Sequence, residues 1–424
     1  LLNIVVRYGM GAAYLKNYVP ANKNNRSAVL TNVIFSLFIT GIPFLIIVYC
    51  FRDSLTMVLF GVNEPSYVMV MGLIIFLDSI SSIPMLGYRA ENQPNIFILF
   101  SMLNAGVNMI FNFIFILILK MNIEGVFFGN LVASVLLFIL VLPFIIKRFD
   151  IDHLSKDRWS TIISFAIPFL PAGLFAMLME VADRYILKLL TNLQTVGIYS
   201  AGYKVGVLML LLANAFNMGW QPYFLEKKIN FFSGDLYPRI NTIVLSILGF
   251  VWLGLLFFAD DLIRFEFFGF SFFGTEFLES LTIIPWISLG YFFYGFYLLQ
   301  TPGMFLKNLP SYAAWTRLIG AITNIGLCFF LIPIYGALGA AYATCISFMV
   351  MAFSMYFINI RLIPVRLEMK KIMLIIFFLL VGFISFHIFN DRLEINIVIM
   401  FFYLLCMIYF RIINVENLNK IIRN

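Results

Sequence analysis

Charge is what this sequence has least of. Only 12% of its 424 residues are Asp, Glu, Lys or Arg, against about a quarter in an ordinary soluble domain. That deficit excludes a cytosolic globule, a disordered chain and a soluble enzyme. Cysteine is sparse as well: Cys50, Cys328, Cys345 and Cys406 all fall in apolar stretches and read as small buried hydrophobes, not as a disulfide frame or a metal site. The 2 histidines, His153 and His387, stand far apart in polar connections, so no metal-ligand cluster is predicted. Long polar loops are missing too. No connection exceeds roughly 20 residues, which leaves no room for a soluble catalytic domain. The chain opens Leu1-Leu2-Asn3-Ile4, with neither Met nor a charged segment. This is no signal peptide; it reads as an entry inside a helix, with more chain expected upstream.

What remains is apolar: 62% of the residues, with a mean hydropathy of +0.98. Apolar runs recur from end to end, each long enough to cross a hydrocarbon core of roughly 30 Å as a helix. The expected fold class is therefore all-α, a polytopic membrane protein. Twelve complete spans are predicted at about 28–51, 65–88, 95–119, 123–147, 159–189, 193–223, 237–259, 275–304, 309–333, 337–360, 369–389 and 393–411, after a partial helix at about 1–16. Basic residues alternate between the connections. Counting every second connection and the C-terminal tail, 19 Lys and Arg lie on one side, while the other holds Arg52, Lys120, Lys188, Arg264 and Arg392. The positive-inside rule makes the basic side, with the C-terminus, cytoplasmic. Much of the net charge of +7 thus reflects topology, and no nucleic-acid partner is needed to explain it.

The chain also repeats itself. Gly87–Pro94 (GYRAENQP) resembles Gly303–Pro310 (GMFLKNLP), and at an offset of 216 Gly87, Asn92, Pro94, Ala105, Asn108 and Phe113 match Gly303, Asn308, Pro310, Ala321, Asn324 and Phe329. Upstream, an offset of 208 pairs Gly41, Asp53, Phe60 and Gly61 with Gly249, Asp261, Phe268 and Gly269. The expected organisation is an N-terminal lobe, 1–150, a C-terminal lobe, 151–362, repeating the first in the same orientation, and two further helices with a tail, 363–424. Parallel repeats of this kind belong to transporters that alternate access.

Seven ionisable residues fall inside spans: Arg7, Asp78, Glu180, Asp183, Arg184, Lys204 and Arg317. Each costs roughly 2.5–3.5 kcal/mol at a helix centre, so they should face the bundle interior or a wet cavity. Glu180, Asp183 and Arg184 stand at i, i+3 and i+4, one helical face on which they are expected to neutralise one another. Lys204 has no acid on its own helix; a cross-helix pair with Asp78 and an unpaired cation lining an anion cavity are both open. Arg317, Gly320 and Asn324 make a polar stripe, answered in the first half by Ser101, Asn104, Asn108 and Asn112. Such stripes serve either a cavity or helix–helix adhesion. Four intramembrane cations against three acids tilt the chain towards an anionic substrate.

Several segments carry a family likeness: IPFLPAGLFAMLMEVADRYIL (167–187), VGIYSAGYKVG (196–206), GWQPYF (219–224), GMFLKNLP (303–310), TNIGLCFFLIPIYGALGAAYAT (323–344) and YGMGAAYLK (8–16). In this order the sequence resembles the polysaccharide transport branch of the MOP flippase superfamily, the Wzx-type O-antigen and exopolysaccharide flippases. The resemblance implies a MATE-like fold of two six-helix lobes plus a terminal pair. It implies a lipid-linked oligosaccharide, on undecaprenyl pyrophosphate, carried from the cytoplasmic to the outer leaflet of the bacterial cytoplasmic membrane, its polyprenyl tail staying among membrane lipids. It also implies a cationic central cavity, for which Lys204, Arg317 and Arg7 are the candidates. Asp78, Glu180, Asp183, Arg184, Asn108 and Asn324 are the polar residues available to such a cavity. The carboxylates could couple transport to Na⁺ or H⁺; no cofactor is implied, and other polysaccharide-assembly proteins would be partners. A multidrug or toxic-compound antiporter, which would favour intramembrane carboxylates, and a peptidoglycan-precursor flippase are the rivals of the same fold. A membrane polymerase or ligase would need a larger outer loop than 260–275, whose Asp260, Asp261 and Glu266 read as interfacial charges beside Phe anchors. A non-transporting scaffold would leave the seven buried charges without a use.

Overall fold

A computed structural model describes residues 2–62, 64–227, 232, 234–264, 266–267, 270–271, 274–388, 392–410 and 412. These are helical almost throughout, apart from a two-residue antiparallel ladder of β1 (Glu266–Phe267) and β2 (Phe270–Ser271) in the expected loop 260–275. Among the described residues eleven helices are long and apolar enough to cross a membrane. The chain divides into two compact units, 1–174 and 175–424.

In the first unit, α1 (Leu2–Arg7) and α2 (Met10–Tyr18) replace the single expected helix. The break lies at Tyr8 and Gly9, with φ of 29° and 82°. A Cβ on Gly9 would lie 2.4 Å from the Ala166 carbonyl oxygen, so both backbone sign and close approach demand glycine there. There follow α3 (Lys23–Cys50), the short α4 (Arg52–Phe60), α5 (Pro65–Ala90), α6 (Pro94–Phe113), α7 (Ile123–Ile146) and α8 (Lys156–Ala166). Pro65 and Pro94 open their helices at the first turn, where the missing N–H is no loss. α5 packs on α3 and α7, and α6 on α7. The unit runs past the expected lobe boundary near 150 because α8 and the turn before it are fastened to α2 and α3. Trp159 Nε1 donates to Ser36 Oγ at 3.0 Å, and Asn32 Nδ2 donates to the His153 carbonyl at 3.0 Å.

The span expected at 159–189 is α8 and α9 (Phe169–Leu190), interrupted before Pro168, which has no N–H to continue the ladder. The second unit, entered within α9, continues through α10 (Leu193–Glu226), α11 (Leu236–Arg264), α12 (Ile284–Leu299), the short α13 (Pro302–Leu306), α14 (Ser311–Tyr335), α15 (Ala337–Leu362), α16 (Met369–Ile388) and α17 (Leu393–Tyr409). Here α12 packs on α10, α11 and α15, and α14 on α15, while α16 and α17 both rest on α11. With 17 residues, α17 is about 25 Å long, at the lower limit for a span. The C-terminal tail lies outside the described residues.

The two matching motifs form the same turn. Asn92 and Asn308 both take φ 56°. Glu91 N donates to Gly87 O and Gln93 N to Tyr88 O, just as Lys307 N donates to Gly303 O and Leu309 N to Met304 O. In both, the glycine is pressed against another helix of its unit, α7 or α15: a Cβ would lie 2.4 Å from Phe144 Cζ at Gly87 and 2.4 Å from Asn359 Oδ1 at Gly303. Gly87→Ala and Gly303→Ala are each expected to destabilise the fold by about 1–3 kcal/mol through overpacking. Denaturant unfolding of the purified protein in detergent measures this; an unchanged midpoint would mean that the helix opposite yields.

Cys50 corrects a sequence expectation: it is exposed, while Cys328 and Cys345 are buried. A membrane helix is apolar on its lipid face as well as its packed face, so hydropathy alone does not tell which way a small apolar side chain turns.

Candidate functional site

The polar residues of the second unit gather where α9, α10, α14 and α15 approach. The acids and the arginine of α9 share a face, but they do not close into the expected ion pairs. The Arg184 guanidinium makes no ion pair with either carboxylate among the described residues. Asp183, fully buried, instead accepts a very short hydrogen bond from the Tyr199 hydroxyl, one at 2.6 Å from Arg184 N, and a longer one of 3.4 Å from Thr344 Oγ1. Arg184 donates to the Glu180 carbonyl and lies over the Tyr203 ring, 4.1 Å from its centroid. Cross-helix partners have displaced the intrahelical pairing, because a buried carboxylate gains more from fixed hydroxyl donors than from a long side chain beside it on a helix surface.

Asn324 extends this network. Its Nδ2 stands 3.4 Å from both Thr344 Oγ1 and Ser347 Oγ, while its Oδ1 is buried without a partner among the described residues. The counterpart Asn108 sits in a ladder of amides in the first unit, accepting from Asn112 Nδ2 at 2.8 Å and donating to Asn130 Oδ1 at 2.6 Å. Both asparagines therefore join neighbouring helices through polar contacts, α6 to α7 and α14 to α15.

Next to the network lies a cavity of about 50 Å³, lined among others by Glu180, Tyr291, Tyr294 and Arg317. Arg317 lies 5.8 Å from the centre of the Tyr297 ring. The Tyr291 hydroxyl is occupied by a very short hydrogen bond with Tyr203. Lys204 lies apart from this cavity's walls. It is exposed, has no hydrogen-bond or ion-pair partner among the described residues, and shares the exposed face of α10 with Leu208, Leu211 and Met218.

In the first unit the cation beside Asp78 is Arg7. Its Nη2 donates to the Asp78 carbonyl at 2.7 Å, while Arg7 Nε is buried without a partner among the described residues. Arg7 is thus fixed to a neighbouring helix. At the C-terminal end of α11 Asp260 holds Arg264 at 2.6 Å, a helix-end pair and not a carboxylate dyad.

Sequence reasoning missed Tyr199, Tyr203, Tyr291, Thr344 and Ser347. The signal available was the Tyr199/Tyr203 spacing of i and i+4 inside an apolar span: a membrane-buried hydroxyl needs a partner, so two on one face mark a polar seam.

Residues 1–227 match the family described as polysaccharide biosynthesis protein. The chain belongs to that family. A comparison with curated proteins gives no match. Among solved structures, the chain is similar to an outward-facing multidrug resistance MATE family transporter of the MOP superfamily, with 14% identity, a TM-score of 0.70, and 85% of each chain covered. A MOP superfamily transporter from Pyrococcus furiosus, described as having a binding pocket of reversed polarity, gives 14% identity and a TM-score of 0.68 over 85% of each chain. A Vibrio cholerae MATE transporter in a bent form gives 14% identity and a TM-score of 0.66, covering 85% of this chain and 86% of that one. At these identities the likeness is one of fold. This member of the polysaccharide biosynthesis protein family is a multi-pass membrane protein whose fold is similar to that of the MATE and MOP superfamily transporters.

Proposed function

We infer that the protein flips an undecaprenyl-pyrophosphate-linked oligosaccharide from the cytoplasmic to the outer leaflet of a bacterial cytoplasmic membrane by alternating access. Lys204 carries this reading. It lies about 17 Å along α10, deep in an apolar span, exposed and without a partner among the described residues. A lysine facing hydrocarbon there would cost roughly 3 kcal/mol, so its face is better explained by water and an anionic headgroup. An ammonium suits pyrophosphate as a point charge. The family match supports a saccharide cargo, and the excess of basic residues in alternate connections supports a cytoplasmic C-terminus.

Coupling, in this reading, falls to Asp183. A gradient drives the cycle only if the ion binds the two conformations differently, and Asp183 with the unpartnered Asn324 Oδ1 is an oxygen set that a change in helix packing would alter. Asp78 and Glu180 are the other carboxylates within spans. Na⁺ and H⁺ are separated by imposing each gradient alone.

The test is leaflet exchange in proteoliposomes holding the full chain and a fluorescent undecaprenyl-pyrophosphate oligosaccharide. Protein-dependent exchange is expected. Uptake of a cationic dye without exchange of any lipid-linked glycan would instead make the protein a drug antiporter.

A further inference from the structure

Two helix breaks lie side by side in the first unit. α1 gives way to α2 at Tyr8 and Gly9, and α8 gives way to α9 at Ile167 and Pro168. The breaks touch: a Cβ on Gly9 would run into the Ala166 carbonyl oxygen and Phe169 Cβ, from the last residue of α8 and the first of α9. Leu170 N donates to Ile167 O at 3.0 Å, an i to i−3 bond of the kind that follows where a proline interrupts a helix.

On one side of the breaks the helices are tied together. The Tyr8 hydroxyl and Ser36 Oγ of α3 share a hydrogen bond of 2.6 Å, and Trp159 Nε1 of α8 donates to the same Ser36 oxygen at 3.0 Å. Asn32 of α3 donates to His153 O and accepts from Ser155 N. With α2 packed on both α3 and α8, these three helices form one base. On the other side α1 and the start of α9 lean on each other, since a Cβ on Gly173 would lie 2.6 Å from Ile4 Cγ2. Further along, α9 is fastened through Asp183 to Tyr199 of α10 and Thr344 of α15.

Adjacent breaks with a tied base behind them and paired arms ahead have the build of a hinge. We propose that α1 and α9 swing together about Gly9 and Pro168 on the base of α2, α3 and α8, and that Arg7 is the catch. In the present arrangement its Nη2 holds Asp78 O of α5 at 2.7 Å, beside a 3.3 Å bond from Thr40 Oγ1 to Val6 O. Releasing that catch frees α1, and the swing of α9 carries α10 and α15 with it. The hinge does not depend on which cargo is moved.

The experiment is double electron–electron resonance on the full chain in lipid nanodiscs, with the four natural cysteines replaced by alanine. One spin label takes the place of exposed Thr161 on α8, the other that of exposed Tyr185 on α9. The natural hinge should give two distance populations. Pro168→Ala, which restores an N–H where the two helices part, should leave one. Arg7→Met removes the catch and should enlarge the smaller population. A single distance in both the natural hinge and Arg7→Met would overturn the proposal, as would two populations that Pro168→Ala leaves unchanged. Two populations without exchange of any lipid-linked glycan would uphold the hinge while removing the flippase reading.

Discussion

Leaflet exchange of the lipid-linked oligosaccharide is expected to fall at least about a hundredfold in Lys204→Ala, with no change in unfolding midpoint. The size follows from truncating one member of a desolvated charge pair. The unchanged midpoint follows from Lys204's lack of partners among the described residues: nothing in the resting fold is lost with its ammonium. Lys204→Arg should retain most of the activity, since a guanidinium also binds phosphate oxygens, though with fork geometry in place of a point charge. Lys204→Glu should be as inactive as alanine. Initial rates of exchange beside denaturation curves separate the two effects, and an alanine variant exchanging at the natural rate would remove Lys204 from the site.

The second large effect concerns stability. Tyr199→Phe removes the short hydrogen bond to the fully buried Asp183 and leaves a carboxylate with weaker donors. Stranding a buried charged group in this way is expected to cost about 3 kcal/mol. The double variant Tyr199→Phe with Asp183→Leu should be more stable than the single one, because removing both polar partners replaces an unsatisfied charge by an apolar contact. Guanidine or SDS unfolding of the three proteins supplies the cycle. A double variant less stable than Tyr199→Phe would show that Asp183 is held mainly by Arg184 N and Thr344. The same pair bears on coupling: Asp183→Leu should abolish any stimulation of exchange by an imposed ion gradient.

Element type and the turn at the repeated motif were legible in the residues because each rests on local physics, whereas of the twelve expected spans eleven are long and apolar enough to cross a membrane among the described residues. A run of some twenty apolar residues has only one economical structure in lipid, a helix that satisfies its own backbone. Glycine, asparagine and proline at 87, 92 and 94, and again at 303, 308 and 310, encode a helix end, a left-handed residue and a helix start. The break at Tyr8 and Gly9 was less visible, since it depends on the approach of the Ala166 carbonyl, which no local pattern reveals.

The site divides along the same line. That seven ionisable side chains must avoid lipid follows from the sequence by itself, through the cost of charge in hydrocarbon, and so do the membrane class and the family likeness. Which partner each charge takes was decided only by the tertiary structure. Asp183 turned to Tyr199 and Thr344, Arg184 to Tyr203, and Arg7 to the Asp78 carbonyl, none of them a neighbour on its own helix. Lipid is as apolar as a helix flank, so hydropathy does not say which face of a membrane helix is packed. Packing and cross-helix hydrogen bonds do, and they form between residues far apart in the chain.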